Sequence, residues 1–186
     1  MSMNETAEMR GVGDRIVELR AYQVATRLTD FVALLSDAVG AGASIGFRWP
    51  LAEGEAEEYW RDVVAAMRGG FRHLLAAYDG EQLLGCVQLD LAAKANARHR
   101  AEVQKLLVLQ SARRRGIGRL LMQAVEDLAR AQGRNLLVLD VRRDDPAQRL
   151  YENIGYQVAG IVPRYAADPD GGLRDCTFLY RELAAP

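Results

Sequence analysis

The chain has 186 residues, 49% of them hydrophobic and 26% charged, with a formal net charge of -1 and a pI near 6.2. That length and balance suit one soluble domain with its own buried core and exclude a generally basic, polyanion-binding protein, so any affinity for negative charge has to be local. No stretch approaches the roughly 18 uninterrupted apolar residues of a membrane helix, and the polar start "MSMNETAEMRGVGD" lacks the apolar centre of a secretory signal, so a cytoplasmic location is expected.

Residues 1–14 are expected to be a flexible tail, with a single domain over residues 15–186. "RIVELR" (Arg15 to Arg20) reads as a first strand, and Val24, Leu28, Phe31, Val32 and Leu35 predict a helix from Val24 to Val39. "GAGASIGFRWP" (Gly40 to Pro50) breaks that period and predicts a loop. A second helix from Glu55 to Met67 turns Tyr59, Trp60, Val63, Val64 and Met67 inward. "FRHLLAAYD" and "QLLGCVQLDLA" flank Asp79-Gly80 as a hairpin, and a polar connection over 93–100 leads to a strand from Ala101 to Leu109.

After "QSARRRGIG", the positions Ile117, Leu120, Leu121, Ala124, Val125 and Leu128 form one apolar helical stripe. The short apolar run from Asn135 to Asp140 follows, and strand, helix and strand at this length make a crossover unit whose two strands are parallel neighbours. Asp145 is a good N-cap with Pro146 at the first helical position. Ala147, Leu150, Tyr151 and Ile154 share a face before Gly155 ends the helix. "YQVAGIVPRY" and "RDCTFLYREL" read as two strands joined across "AADPDGG", giving a mixed α/β sheet with helices on both faces and an antiparallel C-terminal end. Cys86 and Cys176 have neither zinc-site spacing nor the number for a disulfide framework, so both are expected as buried apolar residues, and no metal is expected.

Arg113, Arg114 and Arg115 fall where a buried strand ends and a helix begins. Backbone N–H groups are unpaired there, the helix dipole favours an anion, and guanidinium groups can bind phosphate oxygens bidentately. Gly116 and Gly118 would let the backbone approach such an oxygen. A P-loop is excluded because no Gly-Lys-Ser/Thr follows, and a dinucleotide fingerprint because Leu121 stands where its third glycine belongs.

"RRRGIG" resembles the Arg/Gln-x-x-Gly-x-Gly/Ala segment of the GNAT acetyltransferase superfamily, and "KLLVLQSARRRGIGRLLM" and "AQRLYENIGY" resemble that family at its usual separation. The resemblance implies a mostly antiparallel twisted sheet with a splayed parallel pair, and acetyl-CoA as acetyl donor. It places the pyrophosphate against Arg113, Arg114, Arg115, Gly116, Ile117, Gly118 and Arg119, and the pantetheine arm along backbone groups of Leu107, Val108 and Leu109. An amide near Val108 would polarise the thioester oxygen. Asp144 and Ala147 would lie beside the arm, Asp144 standing where many relatives have Asn. Tyr151 matches the family's proton donor to the leaving sulfur; its bland alternative is a core aromatic shared with Leu150 and Ile154. His73 and His99 match no catalytic position of the family.

"GAGASIGF", "RAEVQKLLVLQSARRRGIGRLLM" and "YAADPDGGLR" resemble the tabtoxin-resistance acetyltransferases more particularly, which places two acidic catalytic positions at Glu102 and Asp140. Independently, Glu102 interrupts an apolar strand, where a carboxylate is costly unless paired or raised in pKa. Asp140 ends the neighbouring strand, where α/β sheets take ligands. A strand-end salt bridge and a loop cap are the respective alternatives. Direct attack in a ternary complex is expected, on a small amine such as an amino-acid analogue. Phe47, Trp49 and Tyr165 would wall its site, and Arg48 or Arg164 would hold its carboxylate. Acetylation of a protein or peptide remains open, as do a monomer and a homodimer. A CoA-sensing or nucleic-acid module has the acidic pI against it, and neither nucleic acid nor membrane is an expected partner.

Overall fold

A computed structural model describes residues 14–168 and 171–184. The tail expected over residues 1–14 lies outside these, save for the backbone of Asp14. Seven strands form one sheet: β1 (Asp14–Leu19), β2 (Arg72–Asp79), β3 (Gln82–Leu91), β4 (Arg100–Val108), β5 (Leu136–Arg142), β6 (Gln157–Ala167) and β7 (Leu173–Glu182), in the spatial order β1-β2-β3-β4-β5-β7-β6. Neighbours are antiparallel except β4 and β5, which are parallel, as the crossover reading requires.

Alternation along the strands sends side chains into two separate cores. On one face Leu75, Ala77, Leu89, Ala101, Val103, Leu137 and Leu139 pack with Ile117, Leu121, Met122 and Val125 of α4 (Ile117–Ala131) and Tyr151 of α5 (Pro146–Asn153). On the other, Leu74, Ala76, Cys86 and Leu107 pack under α1 (Ala21–Thr26), α2 (Leu28–Gly40) and α3 (Glu55–Arg68), with Phe31 and Trp60 fully buried. Both cysteines are free and buried, as expected.

The single helix expected from Val24 to Val39 is two. It breaks at Arg27, whose guanidinium bonds Asp30 and the carbonyl of Glu81 and lies 4.9 Å from the Tyr78 ring centroid. Neither Gly nor Pro marks that break in the sequence. Asp145 does cap α5, accepting from the Ala147 N–H at 2.9 Å. At the sheet edge β6 is exposed along nearly its whole length, Val158, Ile161, Val162 and Tyr165 included. No helix among the described residues is long and apolar enough to cross a membrane.

Candidate active site

The β4–β5 ladder is only three pairs long: Arg100 with Leu136, Ala101 with Leu137 and Glu102 with Val138. Beyond them both strands continue unpaired with each other, so a gap opens in the middle of the sheet. β4 contributes a bulge beside it. Gln88 pairs with Gln104 but Cys86 with Leu107, leaving one extra residue on β4, and Lys105 takes a left-handed φ of 49° there.

Past the bulge, the Leu109 N–H donates to the carbonyl of Leu84 at 2.9 Å and its own carbonyl accepts from Ala112. Leu109 therefore directs its N–H to β3, and Leu107, in register with Cys86, shares its phase in the ladder. Alternation turns the backbone groups of Val108 toward the gap. The carbonyl of Val108 accepts from Arg113 Nε at 3.2 Å, and by the same alternation its N–H is directed toward the opening. Of the three residues expected to line the arm, only Val108 offers its amide there.

α4 begins where the gap ends. Gly116 is its N-cap at φ 87° and no side chain caps the first turn, so the N–H groups of Ile117, Gly118 and Arg119 lack intrahelical acceptors. Gly116 takes the left-handed conformation that glycine adopts without a steric cost. Gly118 is explained differently from the sequence reading: a Cβ there would stand 3.3 Å from Leu150 Cδ2, so its small size also lets α4 pack on α5. Arg113, Arg114, Arg115 and Arg119 are all exposed around this turn, Arg114 at φ 64°, and Arg115 reaches Asp79 at 3.7 Å. Asp144 is exposed in a turn at φ 65° and Ala147 is half-buried in the first turn of α5.

The acidic candidates share the face opposite α4. On β5, Leu137, Leu139 and Val141 enter the α4-side core, which turns Asp140 the other way, beside its cross-strand partner Phe178. Phe178 holds Tyr165 edge-on at 5.1 Å. Burial raises the Asp140 carboxyl above its ordinary value, and Lys105 partly offsets this. Glu102 stands next in a charged row across the sheet, beyond the Arg72–Asp90 pair, and accepts from Gln104 at 2.9 Å. Tyr151 belongs to the opposite core and is 8% exposed; burial first, then the charges of Asp145 and Asp140, push its phenol well above the ordinary value, so it keeps its proton.

Lys105 is the residue that sequence reading missed. Alternation from Ala101 and Val103 would bury it under α4, but the bulge reverses the faces, and Leu106 and Val108 take the α4 side instead. Lys105 thus emerges on the side of Asp140, with its Nζ 5.8 Å from the Tyr59 ring centroid. The loop expected over Gly40–Pro50 is present, and Ala43, Phe47 and Trp49 share a small pocket with Ala167 and Asp168 of the β6–β7 hairpin. Arg48 and Arg164 are exposed. A larger groove, about 550 Å³, lies at the end of β5 between Arg142, Asp144, Asp168 and Arg174. Its charges are largely committed to one another, Arg142 and Arg174 both to Asp168, and neither Asp140 nor Tyr151 lines it.

Residues 36–156 match the model of the acetyltransferase (GNAT) family. The chain is 34% identical over 123 residues to an N-acetyltransferase from the hisH–hisA intergenic region of Azospirillum brasilense, covering 65% of this chain and 71% of that one. In structure it resembles the acetyltransferase yncA of Salmonella typhimurium, solved with its cofactor acetyl-CoA, at a TM-score of 0.74 and 20% identity over 92% of this chain and 95% of that one. It likewise resembles a GCN5-related N-acetyltransferase of Kribbella flavida, with TM-score 0.76 and 21% identity over 92% and 98% of the two chains. The opened parallel pair, the glycine-started helix with its arginines and the match across both motifs agree: this chain belongs to the GNAT acetyltransferase family.

Proposed function

We propose that the protein is an acetyl-CoA-dependent N-acetyltransferase acting on a small primary amine by direct transfer in a ternary complex. The observation that carries this reading is the β4–β5 gap, with the Val108 amide facing it and the uncapped start of α4 at its end. These groups fit a long ligand with an amide-bearing arm and an anionic head. Acetyl-CoA, when bound, supplies an acetyl group activated as a thioester.

Arg113, Arg114, Arg115 and Arg119 hold the pyrophosphate with the N–H groups of Ile117 and Gly118, where helix dipole and guanidinium charge act together. Asp144 and Ala147 flank the arm. The Val108 N–H donates to the acyl oxygen, where negative charge grows during transfer. Asp140 takes the proton of the acceptor ammonium, its raised pKa suiting a base near neutrality better than an ordinary carboxylate does. Glu102 is the second acid and acts from the adjacent register position. Tyr151 holds its proton on the phenol oxygen and gives it to the departing sulfur. A covalent route would need a reactive thiolate; Cys86 and Cys176 are buried and burial raises both thiols.

The approach of the Ala43–Trp49 loop to the β6–β7 hairpin narrows the acceptor side, which favours a small molecule over a protein chain. The test is a screen of amines, amino acids and short peptides with acetyl-CoA, reading free thiol. Release with small amines and not with peptides is expected. Release with peptides alone would overturn the acceptor assignment, and release with none would overturn the activity.

A further inference from the structure

We propose that Lys105 is the acceptor-specificity residue, its ammonium binding a carboxylate that the acceptor carries close to the amine it presents to Asp140. The inference rests on the acetyltransferase reading above and names the substrate class: free α-amino acids and their close analogues, rather than simple amines or peptide N-termini.

Three observations carry it. The bulge puts Lys105 at φ 49° and turns it out of the α4-side core, a backbone conformation that a non-glycine residue adopts only against a steric cost. The Nζ is then confined, 5.8 Å from the Tyr59 ring centroid and 3.8 Å from where a Cβ on Gly46 would stand, so the acceptor loop passes directly over it. Finally, the ammonium forms no hydrogen bond or ion pair among the described residues. Its Coulombic neighbours are Asp140 on β5, Arg72 on β2, Glu102 on β4 and Asp90 on β3, and none of these carboxylates takes it directly.

A half-buried cation without a carboxylate in direct contact bears a desolvation cost, and burial lowers the Lys105 pKa accordingly. An anion arriving with the substrate removes that cost. Asp90 is already engaged by Arg72, and Glu102 by Gln104. Because Lys105 and Asp140 flank the same gap, the acceptor must offer its anion and its amine within a few bonds of each other, as an amino acid does. A peptide N-terminus has an amide at that position, and a lysine side chain has no acid near its amine. Arg48 and Arg164, the cations suggested by sequence, are exposed, whereas Lys105 is the cation whose charge acts on Asp140.

The test compares L-amino acids with their own amides, L-methionine with L-methioninamide and L-threonine with L-threoninamide among them, for the wild type and for Lys105→Met and Lys105→Arg. Wild type should prefer the acids in kcat/KM. Lys105→Met should reduce that preference by about 10- to 100-fold, the range of one charge-assisted hydrogen bond, through KM for the acid rather than kcat, and Lys105→Arg should restore part of it. Calorimetric acetyl-CoA binding shows that each variant is folded. A wild type that acetylates amides or peptides as well as acids, or a Lys105→Met variant that keeps the full preference, overturns the assignment while leaving the acetyltransferase reading intact. Thiol release with no amine of any kind overturns both.

Discussion

Asp140, the base proposed above, shows how a carboxylate can be unfavourable for the fold yet suited to proton transfer. Its folded pKa is raised, so the native state binds that proton more tightly than the unfolded chain does. The resulting stability is present below the ordinary carboxyl pKa of about 3.9 and is lost as pH rises through the raised value, which makes the ionised group a net cost at neutral pH. Asp140→Asn should therefore melt slightly above wild type at pH 7, with the difference closing near pH 3.5, while turnover falls by the order of 10²–10⁴ expected for a lost general base. Melting curves at the two pH values and thiol-release rates check both halves. An Asn variant that turns over normally would remove Asp140 from the chemistry and leave Glu102 as the base.

At the scale of elements, the bulge of β4 sets the site, and Gly85 on β3 makes room for it. A Cβ on Gly85 would lie 2.5 Å from the Leu107 carbonyl oxygen and 3.3 Å from Val108 Cα, contacts that force the backbone itself to move. Gly85→Ala should cost about 1–3 kcal/mol by overpacking, a Tm fall of roughly 3–10 °C for a chain of this size, and should weaken acetyl-CoA binding as Val108 shifts. Gly160→Ala is the matched control, since nothing lies within 4 Å of its Cβ position; equal melting temperatures for the two variants would contradict this role for Gly85. The same bulge explains what sequence reading could and could not reach. The α4 stripe, the Asp145 cap and the parallel crossover are legible because each follows from local period or a capping residue type. The face of Lys105 is not, because one inserted residue reverses the alternation and nothing in "EVQKLLVL" marks where it falls. The break at Arg27 is equally hidden, being fixed by contacts to Tyr78 and Glu81 more than fifty residues away.

Across the whole molecule, the two cores leave the sheet between them unclosed at one place. α1–α3 cover β1 to β4 and α4 covers the other face, while β5 leaves β4 after three pairs and carries Asp140 away toward the β6–β7 hairpin. The sequence points to an anion site at "RRRGIG" only in combination with the flanking strand and the later "AQRLYENIGY"; the depth of the gap is not legible, because the length of the β4–β5 ladder depends on packing of both strands against different helices. On the proposed function, acetyl-CoA lies in this gap and takes the Val108 amide and the free N–H groups of α4. Amide hydrogen exchange with and without acetyl-CoA tests it residue by residue. Strong added protection is expected at Val108 and at Ile117, Gly118 and Arg119, with Leu109 little changed because its N–H is already bonded to Leu84. Saturating acetyl-CoA that leaves Val108 and the start of α4 exchanging as before would contradict that placement.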